Sequence, residues 1–330
     1  MTTTTRQIRL SSDRSARRFE DIREMLPDVD NPSPMVRLNH VTGARELDLY
    51  LKLEWMNPFG SIKDRTAFYL IEGLRRRGEL EERELVEASS GNTAIALAAL
   101  ASLAGTRLTT TIPDGVPEEK KVILRMLGAE VWETPDDLCP VDNPKDGAIA
   151  LARSLAASEG GSRYTATRQY ESEDNIAAHY ETTGPEIWQQ TLGRVKWFVA
   201  ALGTTGTVVG AGRYLKERDP TIRVVAVEPE PGHRLPGMKS FGEASVPGIF
   251  DRQVVDHTVV VGDDAAYAAT TEIWRRESLM VGPSTGAVVA AIEQVPTDPG
   301  DLVVAISADS GVKYTSYFED ILGEEGKPQI

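Results

Sequence analysis

The chain has little of what staples a fold or marks a metal site. One cysteine, Cys139 in the turn-rich stretch ETPDDLCPVDNP, rules out an intramolecular disulfide and fits a reducing compartment. Four scattered histidines, His40, His179, His233 and His257, show no metal-ligand spacing, so no metal is expected. Basic residues are in deficit: 36 Lys and Arg against 50 Asp and Glu, a formal net charge of -14. A general nucleic-acid binder needs a basic face, and this balance argues against one. No uninterrupted apolar run reaches bilayer length, and MTTTTRQIRL lacks the apolar stretch of a secretory signal. The expectation is a cytoplasmic protein with no membrane partner. Internal repeats and low-complexity tracts are missing as well.

What is there reads as an ordinary globular composition, 41% hydrophobic and 26% charged over 330 residues, enough for one large or two ordinary domains. A polar, charged arm runs to the Pro32/Pro34 punctuation. Short β-rich runs then alternate with helical patterns. LDLYLKLE (47–54), ELVEAS (84–89), RLTTTIP (107–113), AEVWET (129–134), KWFVAALG (196–203), RVVAVEP (223–229), HTVVVG (257–262) and DLVVAIS (301–307) read as strands, and SRYTATRQY (162–170) leads into another. TAFYLIEGLRRRG (66–78), TAIALAALASLAG (93–105), EEKKVILRMLG (118–128) and GAIALARSLAASEG (147–160) read as helices. So do DNIAAHYETTGPEIWQQTLG (174–193), the segment after 203 to about Arg218, and stretches near 264–278 and 285–294. This alternation predicts an α/β architecture with largely parallel sheets. AEVW and LVVAIS read as buried-strand patterns, not half-exposed ones.

Two turns punctuate strand-to-helix junctions, where open α/β sheets place ligands. Ser89-Ser90-Gly91-Asn92-Thr93 follows one strand and Gly203-Thr204-Thr205-Gly206-Thr207 another. Unpaired amides at a helix N-terminus, helped by the helix dipole, make each an anion site. Taken singly, either turn could be an ordinary N-cap. GTTGTVVGAG has neither the Gly-Lys-Ser/Thr of a Walker loop nor G-x-G-x-x-G spacing. A third loop, NPFGSIKDR (57–65), sets Lys63 straight after a turn signal. It is either a solvated charge at a helix start or an amine kept for its reactivity. Two anion sites and one amine suit a ligand bearing both a phosphate and a carbonyl.

Taken in order, NPFGSIKDR, EASSGNTA, GTTGTVVGAGRYLKE and GPSTGA resemble the fold-type II pyridoxal-phosphate enzymes, with tryptophan-synthase-β-like fold. The resemblance spans roughly residues 30–320 and is nearest the cysteine synthase and cystathionine β-synthase branch. QYESEDNIAAHYETTGPEIW (169–188) also looks like that branch. It implies pyridoxal 5'-phosphate as cofactor and Lys63 as the Schiff-base lysine, its pKa lowered by desolvation so that it can also act as base. It implies that Gly203, Thr204, Thr205, Gly206 and Thr207 cradle the phosphate, that Asn92 meets the phenolic oxygen, and that Ser284 faces the ring nitrogen. Ser89, Ser90, Gly91, Thr93 and Gln169 are implied to hold a substrate carboxylate.

The implied reaction is β-replacement on an O-activated serine through an α-aminoacrylate, with a sulfur donor giving cysteine. GTTGT, and Lys239 in PGMKSFGEASVPGIFD, look closer to the O-phosphoserine branch than to O-acetylserine enzymes. The family also implies a homodimer and a division into an arm (1–34), a larger cofactor-phosphate domain (35–55 and 166–330) and a smaller mobile domain (56–165). Ser89, Ala94, Pro283 and the ESEDN stretch depart from the family's usual residues and bear on substrate choice. The alternatives are replacement by another nucleophile, a serine/threonine dehydratase or threonine synthase, and a degenerate homologue that would have lost Lys63 or the phosphate loop.

Overall fold

A computed structural model describes residues 17–41, 46–135, 147–157 and 163–322. Cys139, the first half of the N-terminal arm and the end of the segment read as helix 147–160 lie outside the described residues. Two sheets organise the rest. The larger has six strands in the order β1-β2-β10-β7-β8-β9. These are β1 (Met35–Arg37), β2 (Asp48–Leu53), β7 (Trp197–Ala201), β8 (Arg223–Pro229), β9 (His257–Val261) and β10 (Leu302–Ser307). All neighbours are parallel except β1, which the sequence reading missed and which runs antiparallel along β2. The smaller sheet is wholly parallel, in the order β5-β4-β3-β6: β5 (Glu130–Thr134), β4 (Leu108–Pro113), β3 (Glu84–Ala88) and β6 (Tyr164–Ala166).

Helices fill the crossovers that parallel pairing requires. In chain order they are α1 (Lys63–Arg76), α2 (Asn92–Leu103), α3 (Glu118–Met126), α4 (Ala148–Ala156), α5 (Glu173–Ala178), α6 (Gly184–Gln190), α7 (Gly206–Arg218), α8 (Asp263–Glu277), α9 (Pro283–Ile292) and α10 (Thr315–Leu322). One apolar cluster packs Leu49, Leu51, Val303 and Ala305 with Val288 and Ile292 of α9. A second packs Phe198, Val224 and Val304 with Val208, Ala211 and Leu215 of α7. A third joins α1, α2 and the smaller sheet through Ile71, Leu74, Leu85, Leu97 and Leu108. Residues of β10 are buried on both faces, as a central parallel strand demands.

Two sequence expectations need correction. AEVWET is no buried strand: β5 is the edge of the smaller sheet, and Glu130 and Glu133 are exposed. An edge strand is half-solvated, so its apolar residues are only partly covered. The stretch 174–193 is not one helix. It divides into α5, a π-helical turn His179–Thr183, and α6. Pro185 removes a backbone donor there, and at Gly184 a Cβ would come within 2.8 Å of Tyr214. The wider turn brings His179 into the protein interior, fully buried.

Candidate active site

The site lies where β3, β7 and β10 end at their C-termini. The opening loop is fixed by its own sequence. Asn57 and Gly60 close a turn through Gly60 N–H to Asn57 O at 2.9 Å, with Pro58 at the second position and Gly60 at φ +81°. Asp64 Oδ2 accepts the Phe59 N–H at 2.6 Å, and Ser61 Oγ accepts the Lys63 N–H at 3.2 Å. Ile62 N–H then donates to Ala308 O at 2.8 Å, which stitches the loop to the end of β10. Lys63 therefore opens α1 on a backbone held from both sides. Its amine is largely desolvated, and burial lowers its pKa to about 8, with the Asp309 charge pulling upward.

The second turn, after β7, ends in Thr205 at φ 72°, the N-cap of α7. Gly206 is required here, because a Cβ would fall 2.2 Å from Asn175 Oδ1; at Gly203 it would fall 2.8 Å from Gly237 O. Asn175 Nδ2 donates to Thr204 Oγ1 at 2.9 Å and to Gln169 O at 2.8 Å. Thr207 Oγ1 meets His179 Nε2 at 3.2 Å. Burial, then the charges of Lys63 and Arg65, hold His179 well below its usual pKa, so it stands neutral beneath the turn. Thr205 Oγ1 is buried with no hydrogen-bond partner. An unsatisfied buried hydroxyl at a helix N-terminus is costly unless a ligand completes it.

The Ser89–Thr93 turn opens α2. Thr93 Oγ1 donates to Gln169 Oε1 at 2.8 Å, which joins the two segments read as carboxylate-binding. Gln169 Nε2 in turn donates to Glu87 Oε1 at 2.9 Å, and Thr167 Oγ1 donates to Glu87 Oε2. Burial pushes the Glu87 carboxyl up, and these donors pull it back. Asn92 is occupied: its Nδ2 donates to Asp309 Oδ2 at 2.6 Å and its Oδ1 accepts from Lys313 Nζ at 2.8 Å. Ser284 sits buried in the first turn of α9, behind Gly282 and Pro283. Lys239 stands apart. Its backbone N–H reaches Leu202 O at 2.8 Å, but its amine lies 4.4 Å from the Tyr170 ring centroid. It lines a cavity of about 530 Å³ with Glu87, Arg168 and Tyr170, and Lys63 is not part of that wall.

Sequence reasoning missed Asp309, Lys313, Tyr314, Asn175, His179 and Glu87. It also missed a buried ionic quartet beside Lys63. Arg65 Nε is 2.7 Å from Glu54 Oε2, Arg65 also pairs with Glu186, and Lys52 Nζ lies 2.7 Å from Glu186 Oε2. All four side chains are at most 1% exposed. The quartet ties α1 to β2 and α6. The signal available was a charged residue inside an otherwise apolar element, as with Lys52 in LDLYLKLE and Glu186 in GPEIW. Among the described residues no group of His, Cys, Asp or Glu could hold a metal ion, and no helix is long and apolar enough to cross a membrane.

Comparison with known proteins follows the same lines. Residues 27–309 match the family model described as pyridoxal-phosphate dependent enzyme. The chain is 38% identical over 295 residues to cysteine synthase B of Salmonella typhimurium, covering 89% of this chain and 94% of that protein. It is 35% identical over 314 residues to the cysteine synthase of Aquifex aeolicus, covering 92% and 94%. Among solved structures, cysteine synthase from Entamoeba histolytica superposes with TM-score 0.82 at 29% identity, over 97% of this chain and 96% of that one. O-ureido-L-serine synthase superposes with TM-score 0.83 at 30% identity, over 94% and 98%. The residues present fit the implied cofactor: a desolvated amine for an aldehyde, and glycine-floored amides with an unpartnered hydroxyl for a phosphate.

Proposed function

The chain belongs to the pyridoxal-phosphate dependent enzymes and is a transferase of the cysteine synthase type, and from that premise we propose how its own residues carry the reaction. The reaction replaces the β-substituent of an O-activated serine by sulfide or another sulfur donor to give L-cysteine. What pyridoxal 5'-phosphate supplies when bound is an electron-withdrawing ring, which makes an α-proton acidic and lets a β-substituent leave. Gly203 to Thr207 hold the phosphate through amides and hydroxyls, with Thr205 Oγ1 finding its missing partner there. Lys63 supplies the amine that meets the aldehyde. As a desolvated amine, its Nζ would be the base that takes the substrate's α-proton and later returns it. Ser284 would face the ring nitrogen, and as a hydroxyl rather than a carboxylate it would offer no anion to favour protonation there. Asn92 serves the phenolic oxygen, which requires its amide to trade Asp309 or Lys313 for the ligand.

Ser89, Ser90, Gly91 and Thr93 receive the substrate carboxylate with Gln169, whose amide is oriented by Glu87. Residues 56–165 form the smaller, mobile domain in this reading. They close over that carboxylate against the larger domain of 35–55 and 166–330, so that water is excluded. The enzyme works as a cytoplasmic homodimer, with residues 1–34 as an arm. The observation that carries the proposal is the pairing of a desolvated Lys63 amine with a phosphate-shaped cradle at the start of α7.

O-phosphoserine is the preferred donor and O-acetylserine the other candidate. Lys239, which packs on Tyr170 one residue from Gln169, supplies the cation for a phosphate. A second reading, replacement by a nucleophile other than sulfide, is favoured by the likeness to O-ureido-L-serine synthase. Titrating the holoenzyme with O-phosphoserine, O-acetylserine and serine, each followed by sulfide, tests both. The cofactor absorbance should shift with the true donor and return on adding sulfide with release of cysteine. Lys239→Ala should lower kcat/KM for O-phosphoserine about tenfold and leave O-acetylserine unaffected. Protein that stays colourless with added cofactor sinks the proposal.

A further inference from the structure

Lys313 stands in the 3-10 turn Gly311–Tyr314 that follows β10. The turn is pinned in place. Gly311 N–H donates to Met280 O at 2.9 Å, and at Gly311 a Cβ would fall 2.6 Å from both Trp274 of α8 and Val281 O. From there the half-buried side chain reaches back along the sequence. Its Nζ donates to Asn92 Oδ1 at 2.8 Å, 221 positions away, to Gly60 O at 2.9 Å and to Phe59 O at 3.5 Å. An ammonium has three protons, and three oxygens meet them here. Gly60 admits the amine: a Cβ there would stand 3.3 Å from Nζ, at a φ of +81° that side chains rarely adopt. All three acceptors are neutral and the donor is charged, so each bond holds its acceptor more firmly than a neutral donor would.

One amine thus joins two segments. Phe59 and Gly60 belong to the loop that presents Lys63, where the Phe59 N–H is itself held by Asp64 Oδ2 at 2.6 Å. Asn92 opens α2, and its amide is clasped at both ends. Oδ1 accepts from Lys313, while Nδ2 donates to Asp309 Oδ2 at 2.6 Å, an oxygen that also accepts from the Tyr314 hydroxyl. With Oδ1 on a cation the amide cannot turn over, because that would set its NH2 against the ammonium. A ligand oxygen needs a donor, and only Nδ2 is one. The ligand is therefore served from the Asp309 side of the amide while Lys313 stays in place. From this geometry, and resting on the reading of Asn92 above, we infer that Lys313 is a positioning residue for the cofactor: it holds Asn92 as a hydrogen-bond donor, in register with the loop that presents Lys63.

A double-mutant cycle on the dissociation constant of pyridoxal 5'-phosphate, measured by equilibrium dialysis of the full chain, tests this. Lys313→Met keeps the length of the side chain and removes all three bonds. With Asn92 intact it should weaken cofactor binding about tenfold, the worth of one hydrogen bond to a charged group. In Asn92→Ala, which itself binds more weakly, the same substitution should cost no more than about twofold, because the group it positions is gone. A Lys313 that only braced the fold, or acted only on the loop at Gly60, would cost the same in both backgrounds. Equal losses therefore overturn the inference, and so does a Lys313→Met that binds as the wild type does. Lys313→Gln keeps two of the three donor protons and should lose less; it replaces Lys313→Met in the cycle if that variant does not fold. Should the wild type take up no cofactor, or Asn92→Ala bind as tightly as the wild type, the earlier proposal fails at the cofactor or at Asn92, and this inference goes with it. If Asn92→Ala does weaken binding and the two losses simply add, this inference falls alone.

Discussion

Exchanging Glu87 for glutamine changes one atom in a pocket made of donors. The carboxylate accepts from the Thr167 hydroxyl on one oxygen and from Gln169 Nε2 at 2.9 Å on the other. Glutamine sets an NH2 against one of them, so one hydrogen bond is lost and a buried donor is left unpaired. That costs about 1–3 kcal/mol. Gln169 absorbs the change, because its other amide atom is fixed only by Thr93 Oγ1 at 2.8 Å. If the whole cost falls on binding the donor amino acid, KM rises about 5- to 150-fold. Chemistry at Lys63 is untouched, so kcat should hold within about threefold. Steady-state kinetics of the holoenzyme, with a melting curve alongside, give the answer. A protonated Glu87 would act like glutamine, and burial has raised its pKa, so the wild-type KM should climb on the acid side at a pH above the ordinary glutamate range. An unchanged KM in a normally folded Glu87→Gln refutes the argument that Glu87 aims Gln169.

Three further outcomes follow from the same geometry. Arg65→Met leaves Glu54 and Glu186 facing only Lys52 in a dry interior, which should cost about 3–5 kcal/mol and lower the melting temperature by roughly 10 °C; a drop under a degree or two would show the quartet is not dry. Burial pushes Glu54 up, but Arg65 and Lys52 outweigh it and its pKa falls from 4.5 to about 2. A carboxylate depressed in the folded state stabilises above its unfolded pKa, so acid melting should show stability lost between those two values, and Glu54→Gln should flatten that limb. Gly206→Ala drives a methyl to 2.2 Å from Asn175 Oδ1, whose amide cannot withdraw without releasing Thr204 and Gln169. Cofactor affinity by equilibrium dialysis should fall at least about tenfold, and an unchanged affinity would remove the cradle from α7.

Elements whose causes are local were legible beforehand. The strand-turn-helix units that carry Ser89–Thr93 and Gly203–Thr207 are written in adjacent residues: a short apolar-rich run, then Gly and hydroxyls, then a helical pattern. NPFGSIKDR likewise holds its own turn chemistry, with Pro58, Gly60 and Asp64 each where its hydrogen bonds require. The π-turn at His179–Thr183 was not legible, because the register of that helix is settled by packing under α7. Nor was the edge position of β5, which depends on which strand happens to be last in the sheet.

By itself, the sequence determined the alternating elements, the lysine that opens α1 and the two glycine- and hydroxyl-bearing turns, since each arises from residues within a few positions of one another. Tertiary structure alone decided what surrounds them. Asn92 meets Asp309 across 217 positions, and Arg65 meets Glu186 across 121. A hydrogen bond between such distant groups has no periodicity or local spacing to announce it. It exists because two sheets end at one place, and the low dielectric there penalises any buried polar or charged group left without a partner.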